Sequence, residues 1–416
     1  MNRRRGIALK LTQAKPRLVV IGNGMTATRA VEELLARAPD VWDIVVVGAE
    51  PGGCYNRISL SGVLAAEKTL ADVVTHPPGW YSARGIVLHA GDAIVAIDVA
   101  GRRVRSASGR TQSFDELLIC TGATPNMPAL PGAELAGVMT FRTFADASVL
   151  LNAARPGRPA VVVGGGVLGL EAAAGLARRG MTVTLVHQHG HVMDRQLDAH
   201  AGSLVQRQLL ERGVQTILHG RTAAIEGHAR VRAVRLEDGR VLEADIVVFA
   251  IGITPDCHLA RSAGIDCGRG ITVDDAMRTN CAHVSAVGEC AEHRGVCHGL
   301  VAPLYAQAAS WARGMCGDQA VAQDSAPSAT RLKVTGVEVF SAGDVSAADC
   351  AELVYREPRR GTYKRLLLRD AKLIGAVLCG DTTDAAWYLD LMQAGSDVTP
   401  IRDGLLHGRA ACVAAA

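Results

Sequence analysis

Aromatic residues are scarce in this chain: Phe, Trp and Tyr make up only 4% of its 416 residues. Its core must therefore be built from Val, Ile, Leu and Ala, which suits buried parallel strands covered by helices. No apolar run approaches the roughly 18–20 residues that cross a bilayer, so no transmembrane helix is expected. Charge is nearly balanced at +3, too small a surplus to attract nucleic acid or a membrane surface. The start, "MNRRRGIALKLTQAKPR", is basic but has no long apolar stretch and no small-residue cleavage site. It reads as a tail over residues 1–15, not as a signal peptide. No two of the eleven cysteines stand in C-x-x-C spacing, which argues against a thioredoxin-type pair or a structural zinc site. Odd in number and set mostly in apolar runs such as "LLICTG" and "GAVLCGD", they point to reduced thiols in the cytoplasm.

Apolar residues make up 49% of the chain and charged residues 20%, the balance of a globular protein. At about 150 residues per domain, the length suggests two to four domains. From Arg17 the chain alternates strand and helix: "RLVVIG", "MTATRAVEELLARA", "DIVVVGAE". That pattern implies a doubly wound parallel sheet. A β-rich passage ending in "ELLICTGATP" follows, then a linker signal, "RPGRP". The pattern then restarts with "AVVVGG", "VLGLEAAAGLARRG" and "MTVTLVH", and closes on "DIVVFAIGITPD", an echo of "ELLICTGATPN". One architecture thus occurs twice, one copy inserted in the other. The expected limits are 16–145 plus 255–316 for the first domain and 146–254 for the second. Residues 317–329 are small and polar, a linker composition, and 330–416 read as a small α+β domain.

The first glycine fingerprint is "VVIGNGMTA", with Gly22, Gly24 and Ala27 in G-x-G-x-x-A spacing and Met25 and Thr26 opening the helix. Glycines allow the tight turn and let a pyrophosphate approach the helix N-terminus. Glu50 ends the next strand, where an acid holds a ribose. The second fingerprint, "VVVGGGVLGLE", places Gly164, Gly166 and Gly169 around Val167 and Leu168. Its following strand ends not in an acid but in His187. A histidine there does not repel a 2′-phosphate, so weak discrimination between NADH and NADPH is expected. Two such sites in one chain indicate two facing dinucleotides, and FAD with NAD(P)H is the natural pair.

With these motifs the chain resembles the two-dinucleotide, glutathione-reductase-like flavoprotein reductases. The resemblance places Ala93, Thr121, Gly122 and Ala123 near the flavin's domain, and makes Glu289, with Gly288, the acid that binds the ribityl chain. It adds Pro303 and Leu304 to the FAD site and Gly252 to the nicotinamide site. Glu171 falls near the flavin–nicotinamide contact, as a catalytic candidate; it also reads as a helix residue drawn to a positive N-terminus. "CYNRISLS", "VGECAEHRG", "HGLVAPLYAQA" and "LKVTGVEVFSAGD" narrow the resemblance. They are similar to the FAD-containing electron-transfer part of assimilatory NAD(P)H nitrite reductase large subunits, and equally to the electron-transfer subunit of assimilatory nitrate reductases. The similarity spans about Pro16 to Gly404.

Departures from the relatives are informative. The resemblance leads one to expect a sirohaem and iron–sulfur domain or a cysteine-rich cluster module, and neither pattern follows Gly395. Electrons are therefore expected to pass to another redox protein rather than to nitrite bound here. Cys54 has no partner four or five residues on, and the single cysteine of peroxide-reducing relatives would fall near Ser61, so Cys54 reads as a loop thiol. A lysine of related ferredoxin reductases is replaced at Gly62. Arg57 is a candidate for the FAD phosphates, or an ordinary surface arginine, and Ser61 accompanies it. Cys281, Cys290 and Cys297 lack metal-site spacing, so no metal is expected. The reading is an FAD-dependent NAD(P)H oxidoreductase serving a nitrate or nitrite reductase component. The alternatives are a reductase of a small iron protein (rubredoxin or ferredoxin) and a non-catalytic redox sensor that binds its partner through 330–416. Oligomeric state is not legible.

Overall fold

The computed structural model describes residues 15–318, 329–334 and 336–414. Most of the basic tail and most of the 317–329 linker lie outside the described residues. The described residues divide into two compact units. The first is drawn from Met1–Cys54, His76–Gly122 and Pro255–Ala322, the second from Tyr55–Thr75, Ala123–Thr254 and Gln323–Ala416.

The first unit is built on a five-stranded sheet ordered Val284–Ala286, Glu116–Ile119, Arg17–Ile21, Asp43–Gly48, Val87–Ala90, with every neighbouring pair parallel. Its central strands are unbroken apolar runs, as a sheet covered on both faces requires. Leu18, Val19, Val20 and Leu118 are fully buried. The helices Met25–Arg37 and Val301–Met315 pack together in this unit. Arg29, on the first of them, sits over the ring of Tyr305 on the second.

The second unit repeats the plan. Its parallel sheet runs Val138–Thr140, Ile246–Phe249, Pro159–Val163, Thr182–Val186, Val214–Ile217. In both sheets the closing strand lies beside the fingerprint strand, followed by the strand after the helix and then the third. Each unit also inserts a three-stranded antiparallel sheet before its closing strand: Ile94–Asp98, Arg103–Ser106 and Thr111–Ser113 in one, Thr222–Gly227, Val231–Leu236 and Val241–Glu243 in the other. The strand pattern read twice in the sequence thus recurs over four strands of each sheet; the fifth differs, because Val284–Ala286 follows its closing strand whereas Val138–Thr140 precedes its fingerprint strand.

The C-terminal segment forms a five-stranded antiparallel sheet, ordered Ala329–Val334, Val337–Gly343, Lys372–Cys379, Thr362–Arg369, Ala351–Glu357. Alternation along its strands separates two faces. Val337, Val339, Val377 and Cys379 join the apolar cluster that holds Leu176, Leu204 and Leu209 of the nucleotide-fold helices. Phe340, Ala376 and Leu378 face Tyr388, Met392 and Leu405. Asp198, which caps the helix Ala199–Glu211, also accepts a hydrogen bond from Tyr363 Oη at 3.0 Å. Among the described residues, no helix is long and apolar enough to cross a membrane.

Candidate dinucleotide sites

In the first unit the strand Arg17–Ile21 delivers the chain to Gly22, whose φ of +109° is open to glycine. A Cβ there would stand 2.2 Å from the Cys120 carbonyl oxygen, so the close approach of two backbones enforces the residue. Gly24 is different. It is extended, with φ −87°, and caps Met25–Arg37 without any side-chain hydrogen bond; a Cβ on it meets nothing within 4 Å. Among the described residues, the N-cap therefore offers no side chain to the first amides of this helix, at Met25, Thr26 and Ala27, and the Cβ position beside them is open. By contrast, the helices Phe144–Ala153 and Ala199–Glu211 are closed by Thr143 and Asp198. An open positive helix end beside a bare glycine is the chemistry that holds a pyrophosphate.

Around this end the structure gathers several of the sequence candidates. A Cβ on Gly288 would lie 3.4 Å from Thr26, and one on Gly122 would lie 3.8 Å from Glu289 Oε2. Thr121 donates to the Asp256 carbonyl at 2.6 Å, and the Asp256 amide donates to Gly122 O at 2.9 Å. Glu50 follows the strand Asp43–Gly48 and is half-buried. Ala93, half-buried, accepts the Ala107 amide at 2.8 Å. Pro303 and Leu304 lie in the first turn of Val301–Met315, which also begins without a side-chain cap. Two supporting residues had not been singled out from the sequence. Asn23 accepts from Tyr81 Oη at 2.6 Å, and Gln307 Oε1 accepts the Gly288 amide at 2.9 Å. Neither pairing carries a spacing signal, because each joins residues far apart in the chain. Burial pushes the Tyr81 hydroxyl above its ordinary pKa, so it stays a neutral donor.

The second fingerprint is built alike. Gly164 has φ +121° and would place a Cβ 2.3 Å from Ala250 O. Gly169 would place one 1.8 Å from Gly164 O, so its helix packs directly on the loop. Gly166 caps Val167–Arg178 with no side-chain bond, and a Cβ on it meets nothing within 4 Å. Leu168 is partly exposed beside it, while Glu171 is buried on the same helix at 7% exposure. Gly252, at φ +104°, accepts the Asn126 amide at 3.0 Å. Both units therefore fit a dinucleotide: each offers uncapped amides behind a glycine whose missing side chain leaves space rather than relieving a clash.

His187 differs from its expected place as a side chain presented at the strand end. Its ring is buried, 7% exposed, and turned back on the glycine loop. Nδ1 accepts the Gly165 amide at 3.0 Å, and Nε2 lies 3.0 Å from Asp194 Oδ1. An acceptor at Nδ1 puts the proton on Nε2. Burial pushes the imidazole below its ordinary pKa, against the pull of Asp194, so it stays neutral. A Cβ on Gly165 would fall 2.5 Å from this ring, which explains the third consecutive glycine in "GGG". Asp194 is a further residue that the sequence reading missed.

Arg57 and Ser61 belong to the segment Tyr55–Thr75, which clusters with the second unit. Arg57 donates to Arg142 O at 2.9 Å and lies over the Tyr55 ring. Ser61 is buried and donates to Ile58 O at 3.2 Å. Cys54 is 1% exposed.

Two open glycine loops on two parallel sheets, followed by a small antiparallel domain, form the architecture of the two-dinucleotide-binding flavoprotein reductases. Residues 16–312 match the pyridine nucleotide-disulphide oxidoreductase family, and residues 327–396 match the rubredoxin NAD+ reductase C-terminal domain. The chain belongs to the pyridine nucleotide-disulphide oxidoreductase family. It is similar to the NAD(P)H nitrite reductase of Bacillus subtilis (strain 168), at 41% identity over 92% of this chain and 48% of that protein. To the assimilatory nitrate reductase electron transfer subunit of the same organism it is 41% identical, over 92% of this chain and 50% of that one. The chain thus spans about half the length of these curated relatives. In structure it resembles the ferredoxin reductase for the CYP199A2 system from Rhodopseudomonas palustris, with a TM-score of 0.87 and 25% identity over 97% of this chain and 100% of that one.

Proposed function

We propose that this chain carries electrons from NAD(P)H, by way of FAD, to a partner redox protein of nitrate or nitrite assimilation, in the cytoplasm. The reading is carried by the two uncapped glycine-loop helices, one in each unit, in a chain 41% identical to two reductases of that pathway. When bound, NAD(P)H supplies a hydride and FAD supplies an acceptor that can release electrons singly. The chain's own part is to bind and orient. Amides from Gly24 to Ala27 receive the FAD pyrophosphate, Glu50 accepts its ribose hydroxyls and Glu289 its ribityl hydroxyls. Ala93, Thr121, Gly122, Ala123, Gly288, Pro303 and Leu304 complete that site, with Arg57 and Ser61 as further candidates. Amides from Gly166 to Gly169 receive the NAD(P)H pyrophosphate, with His187 and Gly252 beside them. Glu171, buried and near the start of its helix, is assigned the catalytic role. In this reading 16–145 with 255–316 is the FAD domain, 146–254 the NAD(P)H domain and 330–416 a C-terminal domain, and no residue is assigned to nitrite itself.

The test is anaerobic electron delivery from NADH through the purified chain to three acceptors: the catalytic component of an assimilatory nitrate reductase, a ferredoxin and a rubredoxin. Reduction of the first at least tenfold faster than the other two supports the reading. The reverse order supports a rubredoxin or ferredoxin reductase, which the match of 327–396 to a rubredoxin reductase domain favours. Failure of both NADH and NADPH to reduce the bound flavin would leave a redox sensor as the surviving reading.

A further inference from the structure

Resting on the reading that Gly164 to Gly169 hold the nicotinamide dinucleotide, we infer that Asp194 is the acid that recognises its adenosine ribose, with His187 as the positioning residue that holds it there. In a fingerprint site the strand-end carboxylate lies beside the glycine loop, where the ribose 2′-oxygen arrives. Here the imidazole of His187 takes the place beside the loop and accepts the Gly165 amide at 3.0 Å. Its far nitrogen donates to Asp194 Oδ1 at 3.0 Å, so the negative charge is moved one ring outward rather than lost. A second tether is independent of the histidine. The Met193 amide donates to Gly165 O at 2.7 Å, and Met193 adopts φ +53° and is fully buried. The Gly165 carbonyl thus binds the segment that carries Asp194, while the Gly165 amide binds the histidine that holds the Asp194 side chain. The Asp194 side chain keeps 26% exposure, and His189 approaches its other oxygen only to 3.9 Å. That oxygen is placed to accept from a ribose 2′-hydroxyl, and its charge opposes a 2′-phosphate. The ligand class is therefore the 2′-hydroxyl dinucleotide, NADH, in place of the weak discrimination expected of a strand-end histidine.

The experiment pairs dye-reduction kinetics with calorimetric binding of adenosine 2′,5′-bisphosphate and 5′-AMP. Wild type is expected to favour NADH at least tenfold in kcat/KM. Asp194→Asn should bring the two coenzymes within about threefold, mainly through a lower KM for NADPH, and should tighten adenosine 2′,5′-bisphosphate about tenfold relative to 5′-AMP. Asp194→Glu, which keeps the charge, should keep the preference. His187→Phe removes both ring hydrogen bonds and should raise KM for both coenzymes. A wild type that prefers NADPH, or Asp194→Asn with both ratios within twofold of wild type, overturns the inference. Gly166→Leu separates the two levels of failure. If it raises KM for NADH while Asp194→Asn changes nothing, only the role of Asp194 is wrong. If it leaves KM unchanged, the coenzyme site itself lies elsewhere and the inference falls with it.

Discussion

Gly24→Leu separates folding from cofactor binding. Gly24 is in extended backbone, and no protein atom lies within 4 Å of the Cβ position. The substitution therefore costs the fold only the weaker N-cap preference of leucine, on the order of 1 kcal/mol or less. The same side chain projects over the uncapped amides of Met25 and Thr26, where a pyrophosphate must sit. Loss of that approach should cost at least 100-fold in FAD affinity, about 2.7 kcal/mol. Wild type at 100 times its Kd should gain about the same amount in apparent stability from bound ligand, and the variant should gain none of it. The assay is flavin content per protein by absorbance, with thermal melting of flavin-stripped and flavin-loaded samples. Stripped wild type and stripped Gly24→Leu should melt within a few degrees of each other, and added FAD should raise only the wild type. Gly22→Ala is the contrasting control: its Cβ would strike the Cys120 carbonyl at 2.2 Å at a φ of +109°, so the stripped protein itself should be destabilised. Normal flavin content in Gly24→Leu would refute the assignment of this loop.

Cys54→Ser should keep NAD(P)H-dependent dye reduction within about threefold, since Cys54 is 1% exposed; a 100-fold loss, about 2.7 kcal/mol of barrier, would reveal a redox thiol. Asp381→Asn should destabilise the second unit by about 2 kcal/mol in urea melts, because it strips the partner 2.8 Å from Lys364 Nζ, whose side chain is 6% exposed. The Lys364 bond holds Asp381 down at a pKa of about 2. Its stabilisation is therefore full above the unfolded value near 4 and lost as pH falls through about 2, so wild type and variant should converge in strong acid. His187 also loses stability as pH falls, but for a different reason. Its folded pKa is depressed below 6.5 by burial, so the unfolded chain binds the proton more readily and stability falls as pH drops below about 6.5. His187→Gln should shrink the loss of Tm between pH 7.5 and 5.5; an unchanged difference would mean the ring titrates freely.

The parallel sheets were legible because their strands are buried on both faces and therefore read as unbroken apolar runs, "RLVVI" and "PAVVV". The glycine loops were legible because backbone contact leaves only glycine at Gly22, Gly164 and Gly169, a constraint written in local spacing. What supports the loops was not legible. Tyr81 on Asn23 and Gln307 on Gly288 join residues 58 and 19 positions apart, and no periodicity marks such pairs. The case of His187 is more specific. Its residue type was visible at the strand end, but the inward turn of its ring depends on the space left by Gly165 and on the left-handed Met193 that returns Asp194 to the loop. The C-terminal sheet was readable as strand-like runs separated by turns, "YKRLLLRD" and "KLIGAVLCGD" among them, whereas its shared core with Leu176 and Leu204 is a tertiary fact.

The central claim, that NAD(P)H reduces a flavin held by this chain for onward electron transfer, is tested most directly by anaerobic titration of the FAD-loaded protein with NADH, followed by flavin absorbance in a stopped-flow instrument. The account predicts that about one equivalent of NADH bleaches the flavin completely within the turnover time of dye reduction, and that adding an oxidised acceptor protein restores the colour. Flavin that stays oxidised under excess NADH and excess NADPH, in a protein that still binds both coenzymes, would contradict it.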